Sequence, residues 1–360
     1  MDEHEIEEQQ DLLDLNEVMQ AFGVSNWNNL GPVATPSSHP QLLNVQIEIE
    51  GQRYILKERL EGLVEEDTSH RYHFQRYLQQ AGIPIPPLWL TPQDEPVVTI
   101  GEDSFELQQW VDGELFSSAD SHSLEWVAGA GEMLGLLHQA SRHYPGHQHR
   151  WPSEVQAGGL VQGWLNLARS KVEQSEVHAV AAALSNIVDA WEAVLPATMM
   201  AIGGVRGLPE FHIHGDYHAL NLRFDPQGVS AVLGLDASRW EKRIIELAYG
   251  LFYFCALEWR ADSSLNRPLV KRGFDPERVS RFLQAYGAVY PPHPGEAPLL
   301  VDALMLIAPI VTINGPLEDL FFASEHEGVL IDEVMERLAW AASLPAWLGR
   351  VRRSFAEMWA

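Results

Sequence analysis

At 360 residues the chain is long enough for two units with sizeable cores, and its 46% hydrophobic content excludes a disordered polymer. With 50 acidic against 24 basic side chains, the formal charge of −26 repels a phosphate backbone and excludes nucleic acid as a main partner. The one cysteine, Cys255 in LFYFCALEW, excludes an intrachain disulfide and a cysteine-based zinc site, and fits a buried thiol in a reducing compartment. The first ten residues, MDEHEIEEQQ, are acidic and lack the apolar core of a secretory signal. No run approaches the length of a membrane span, so the expectation is a cytoplasmic protein with no membrane partner.

In chain order, residues 11–22 (DLLDLNEVMQAF) carry apolar positions at helical spacing before Gly23, which predicts an amphipathic lead-in helix that docks on a lobe. Val45–Ile49 and Arg53–Lys57 alternate about Glu50-Gly51 and predict a hairpin. A helix is predicted from Ser69 to Gln80, ending at Gly82, and the prolines of GIPIPP then hold the chain extended. Val97–Ile100 and Phe105–Val111 read as two more strands, and Asp112-Gly113 ends the sheet. The division predicted is an N-terminal helical extension over 1–24, a first lobe over 25–112 and a larger lobe over 113–360.

Beyond that boundary, residues 123–142 form a long amphipathic helix with His138 near its end. Nothing nearby in sequence pairs with His138, which therefore reads as a packed helix residue. A loop over 143–160, rich in His, Pro and Gly, precedes helices over 161–200, where Trp164 and Trp191 are expected to pack. Ile244–Trp259 is nearly continuously apolar and reads as the spine of the larger lobe. Pro276–Tyr286, Ala297–Val311 and Ile331–Trp340 are further helices.

The stretch that carries chemistry is His214–Asn221, HGDYHALN, with Asp236 at the end of the next apolar run. Asn221–Phe224 is a short strand, Asp225-Pro226-Gln227-Gly228 a turn, and Val229–Leu235 a second strand that places Asp236 roughly opposite Tyr217. Asp216 and Asp236 then share one neighbourhood. Two such carboxylates repel unless a cation lies between them, which implies Mg²⁺ with Asn221 adding a neutral oxygen. Asp216 is placed to accept the proton of an attacking hydroxyl.

HGDYHALN followed by LGLDASRWEKRIIELAYGL resembles the phosphotransferase motif of the aminoglycoside phosphotransferase and choline kinase superfamily. The resemblance runs over roughly residues 25–345 and is most specific over 211–250. It implies an α+β, two-lobed, protein-kinase-like fold, with a small antiparallel β-sheet N-lobe that binds nucleotide and a larger, mainly helical C-lobe. It implies a small-molecule kinase that uses ATP or GTP with Mg²⁺ and a hydroxyl acceptor such as an amino alcohol, a sugar or an aminoglycoside-like compound. By the same resemblance Asp216 matches the catalytic base, Asn221 and Asp236 the metal ligands, and Glu246 stands where an aspartate usually anchors the loop that His214 opens. The order of elements after the motif leans toward the homoserine kinase and choline kinase branches.

Lys57, in YILKE, is the candidate for the strand lysine that contacts nucleotide phosphates. Backbone groups near Gln108, Gln109 and Trp110 are expected to bind the base. Two features depart from the family. No glycine stands between Pro32 and Leu43, where a phosphate flap is expected and Ser37, Ser38 and Asn44 are the polar substitutes. The helix after Lys57 lacks an acid at its early positions, leaving Glu65 or Glu66 as the nearest partners. For the acceptor, Trp259, Trp340, Trp347 and Trp359 with Glu318 and Asp319 offer an aromatic, anionic pocket, against a plain core role for the tryptophans. The two departures, with Ala237 after the metal-site aspartate, raise a scaffold without turnover as the alternative to an enzyme.

Overall fold

The computed structural model describes residues 15–33, 43–59, 65–146, 150, 156–175, 177–259, 273–321 and 331–360. Ser37 and Ser38 lie outside the described residues, as do the side chains of Glu65, Glu66 and Glu318. The chain divides into two compact units, residues 1–113 with 231–233 and residues 114–230 with 234–360.

The first unit is built on a five-stranded antiparallel sheet in the order β1-β2-β3-β5-β4, from Asn28–Pro32, Asn44–Ile49, Gln52–Arg59, Asp103–Gln109 and Val98–Ile100. The predicted β2–β3 hairpin forms as expected. Glu50 and Gly51 both take positive φ, 52° and 79°, the pair of left-handed residues that a two-residue turn needs to match the strand twist. On one face a helix over residues 15–21, α1, docks Leu15, Val18 and Met19 against Ile47, Leu56 and Leu107. The opposite face carries Ile55, Lys57 and Arg59 from β3 and Glu106 and Gln108 from β5, because side chains alternate along each strand. Helix α2, Glu65–Gln80, begins four residues before the predicted start and meets this polar face through Arg71, Tyr72 and Gln75.

The second unit is mainly helical: α3 Ser123–Ser141, α4 Ala157–Gln174, α5 His178–Glu192, α6 Leu195–Gly204, α7 Arg243–Cys255, α8 Pro276–Val289, α9 Leu300–Phe321 and α10 Ile331–Trp359. Every residue of α7 is buried, as expected for its apolar run. α3 and α8 cross closely because α3 offers two glycines a turn apart. A Cβ on Gly131 would collide with the Phe282 carbonyl, and one on Gly135 would lie 2.9 Å from the Val289 Cβ. α9 and α10 run well past the stretches predicted for them. Two short hairpin-like pairs complete the unit, β6 Glu210–Ile213 with β9 Arg239–Lys242, and β7 Leu222–Asp225 with β8 Gly228–Val232.

Two expectations need correction here. Two stretches, His178–Gly204 and Ala297–Phe321, are long and apolar enough to cross a membrane by length and composition. The first is broken by a turn between α5 and α6, and the second is 72% buried, as a core helix is. The tryptophans are seen in the packing role. Trp259 and Trp359 are buried, Trp340 and Trp347 pack on Phe252 and Phe274, and Asp319 is neutralised by Arg337 at 2.9 Å. The strand after the Asp225–Gly228 turn ends at Val232 rather than Leu235, because Gly234 turns left-handed, at φ 72°, and starts a 3₁₀ turn, Leu235–Ala237.

Candidate active site

Strand β6 delivers the chain to His214, and Gly215 then bends it. At φ 86° Gly215 lies so close to Ala237 that a Cβ would collide with the Ala237 carbonyl, so only glycine permits the approach. Arg239 fastens the same contact, its Nη1 donating to the carbonyls of Gly215 at 3.2 Å and Ala237 at 3.1 Å. The loop and the Asp236 turn are therefore adjacent through glycine-mediated backbone contact, where the sequence had suggested ladder pairing.

Beneath the loop, Glu246 in the first turn of α7 accepts from the peptide N–H of His214 at 3.0 Å and of Gly215 at 2.5 Å. The helix N-terminus favours a carboxylate there. Its Oε2 also meets His138 Nε2 at 2.8 Å, and His138 Nδ1 meets the Tyr286 hydroxyl at 2.9 Å. Burial acts to raise the pKa of Glu246, but His138, His214 and the Gly215 N–H outweigh it and hold the carboxyl below its usual range. For His138, burial outweighs the carboxylate and lowers the pKa, which leaves a neutral ring. That ring donates from Nε2 to Glu246 and accepts at Nδ1 from Tyr286. His138 is thus more than a packed helix residue. Its partners are 108 and 148 residues away, and no local pattern announces them.

Asp216 projects from the anchored loop with its side chain 44% exposed. Its Oδ2 accepts from His218 Nε2 at 3.1 Å and from Asn221 Nδ2 at 2.9 Å, and the same Asn221 nitrogen donates to the Asp216 carbonyl at 2.8 Å. His218, which the motif alone does not single out, is buried, accepts at Nδ1 from the Leu220 N–H at 3.2 Å and therefore carries its proton on Nε2. Desolvation raises the Asp216 pKa, but His218, His214 and Asn221 together hold it below the ordinary carboxylate range. Asp216 is thus charged and oriented.

Asn221 ends a 3₁₀ turn, Ala219–Asn221, and lies against Gly234, where a Cβ would be 2.6 Å from its amide oxygen. Its nitrogen is committed to Asp216, which leaves the Oδ1 to face elsewhere. Asp236, two residues past Gly234, is exposed. An amide oxygen and a carboxylate are the hard donors that magnesium takes, usually with phosphate oxygens completing its shell. Among the described residues no group of three or more His, Cys, Asp and Glu is placed to hold a metal ion.

In the first unit, Lys57 Nζ donates to Gln108 Oε1 at 2.8 Å. Gln109 N–H is bonded to the Pro87 carbonyl and Trp110 N–H to that of Arg53, so neither donor is available to a base. The Pro87–Trp89 segment runs antiparallel to β5 here, with Leu88 bridging Gln108 and the Trp89 N–H bonded to the Leu107 carbonyl.

The family described as APH, phosphotransferase enzyme family, matches residues 40–298. No curated protein sequence matches the chain. Among solved structures, the amicoumacin kinase hAmiN, in complex with AMP-PNP, Ca²⁺ and Ami, has a TM-score of 0.64 at 16% identity and covers 96% of each chain. A microcompartment-associated aminopropanol kinase has a TM-score of 0.66 at 14% identity, over 96% of this chain and 98% of that one. The spectinomycin phosphotransferase APH(9)-Ia, in complex with ADP and spectinomycin, has a TM-score of 0.58 at 13% identity, over 95% and 98%. These likenesses show the fold.

Proposed function

The chain belongs to the phosphotransferase enzyme family, and from that premise we propose that it moves the γ-phosphoryl group of ATP to a hydroxyl of a small molecule. The observation that carries this reading is the Asp216 carboxylate, charged, half-buried and oriented by His218 and Asn221 on a loop clamped by Glu246. Phosphoryl transfer passes through a loose transition state in which positioning matters more than basicity. A carboxylate of lowered pKa suits that task. Asp216 accepts the hydrogen bond of the acceptor hydroxyl, aligns its oxygen for in-line attack and takes the proton as the new P–O bond forms.

Asn221 Oδ1 and Asp236 would hold Mg²⁺, which when bound neutralises charge on the phosphate oxygens. Lys57 supplies a fixed positive charge to the phosphates. Backbone carbonyls near Gln108, Gln109 and Trp110 would read the edge of the base, since the N–H groups of Gln109 and Trp110 are bonded within the unit. AMP-PNP and ADP in the complexes of two similar structures support adenine over guanine. For the acceptor, an amino alcohol or aminoglycoside-like compound is favoured by the formal charge of −26 and by the names of the aminopropanol kinase and the aminoglycoside phosphotransferases of this fold. The scaffold reading rests on the absent flap glycine, the missing early acid and Ala237; the hydrogen-bonded Asp216 and Asn221 and the family match favour the enzyme.

The test is Asp216→Asn, assayed with ATP, Mg²⁺ and a panel of amino alcohols, sugars and aminoglycosides. Turnover should fall about 10²- to 10⁴-fold while ATP still raises the melting temperature. Unchanged turnover in the variant would remove Asp216 from the mechanism.

A further inference from the structure

The polar face of the first unit's sheet distributes its charges in an unexpected way. Lys57 on β3 stands directly opposite Glu106 on β5, the register in which opposite charges ordinarily pair. Glu106 is instead engaged by others. Its Oε2 accepts from Arg59 at 3.1 Å, from the Tyr72 hydroxyl at 3.0 Å and, at 3.5 Å, from Arg71 of α2. The acid is on the sheet and the cation on the helix. Lys57 turns to a neutral partner, the amide oxygen of Gln108, at 2.8 Å.

That amide can point only one way. Gln108 is buried, and its Nε2 donates to the Pro86 carbonyl at 3.3 Å, which leaves the oxygen for Lys57. The Pro86 carbonyl is itself held by Gln75 Nε2 of α2, also at 3.3 Å. A chain of hydrogen bonds therefore runs from α2 through Pro86 and Gln108 to the ammonium.

We propose that Gln108 is the positioning residue for Lys57, doing with a neutral amide what an acid on the neighbouring helix would otherwise do. The inference rests on the reading of Lys57 as a phosphate-binding residue. A carboxylate partner would fix the ammonium and also cancel much of its charge. An amide fixes it and leaves the charge whole, which strengthens its pull on a polyphosphate. Gln108 thus acts on the phosphates through Lys57 and touches neither base nor phosphate.

The test is binding of ATP and of adenosine, each by calorimetry, to wild type, Gln108→Met, Lys57→Met and the double variant. Gln108→Met should weaken ATP about tenfold, the scale of one hydrogen bond to a charged group, and leave adenosine within about twofold. Lys57→Met should weaken ATP at least as much, and the double variant no more than Lys57→Met alone. Equal loss of ATP and adenosine in Gln108→Met would mean that the residue only packs, and no loss of either would also overturn the proposal. Lys57→Met binding ATP like wild type would bring down the phosphate reading itself, a failure separable from the first. Should Gln108→Met not fold, Gln108→Glu carries the same test. It keeps an oxygen toward Lys57 but cancels the charge, so ATP and not adenosine should weaken, and wild-type ATP binding would overturn the proposal.

Discussion

Replacing Glu246 by glutamine changes one atom and should loosen the whole catalytic loop. The carboxylate accepts three hydrogen bonds, from the His214 N–H, the Gly215 N–H and His138. An amide accepts with only one of its two ends. If its oxygen takes the His214 and His138 side, its NH₂ faces the Gly215 N–H, donor against donor in a fully buried site. Losing a charge-assisted bond and leaving a buried N–H without an acceptor destabilises by about 3 kcal/mol. For a unit of this size that is roughly a 6–12 °C fall in melting temperature. Turnover measured well below the transition should fall further than the unfolded fraction explains, because Gly215 carries Asp216, and a displacement of about 1 Å at a reacting group costs on the order of 10²-fold. Glu246→Asp should lie between, since it keeps the charge but withdraws the carboxylate by one methylene. The assays are thermal denaturation and initial rates at a fixed low temperature. A Glu246→Gln protein as stable and active as wild type would refute the anchoring argument.

The other expectations concern the same framework. The pKa of His138 is lowered below 6.5 by burial and that of Glu246 below 4.5, so both contribute stability that is present above those unfolded values and lost as pH falls. The melting temperature should therefore decline from about pH 6.5 downward, and His138→Gln should flatten the upper part of that decline. Gly234→Ala should suppress turnover more than stability. Its methyl would enter a left-handed position 2.6 Å from the Asn221 amide, and activity against urea denaturation separates the two effects. Glu296→Ala should cost about 3–5 kcal/mol in urea unfolding, because it strands Arg243, a fully buried guanidinium that Glu296 holds at 3.0 Å and that lies 3.9 Å from the Tyr290 ring centroid.

What could be read in advance was local. Glu50-Gly51 announced a hairpin because few residues accept paired positive φ, and the Ile244–Trp259 run announced a buried helix because it is nearly continuously apolar. The HGD string and its downstream asparagine likewise predict a shared turn, since they span only eight residues. What escaped was long-range or set by one backbone angle. His138 looked inert because Glu246 and Tyr286 lie on other helices, and the glycines that let α3 approach α8 pass as ordinary small residues in a helix. The strand after Gly228 appeared to continue because Val229–Leu235 is mostly apolar, yet one left-handed glycine at 234 was enough to end the ladder. The missing acid near Lys57 read as a defect only because charge on a helix is visible in sequence, whereas its transfer to Glu106 on the sheet is not.

The clamp under the loop also has a consequence in time. The amide protons of His214 and Gly215 are bonded to a fully buried carboxylate on a helix whose every residue is buried. Such protons exchange with solvent only when α7 separates from the loop, a cooperative opening rather than a local fluctuation. In deuterated buffer they should be among the slowest of the unit, and the two amides would register the integrity of the reaction centre in a sample that holds no substrate at all.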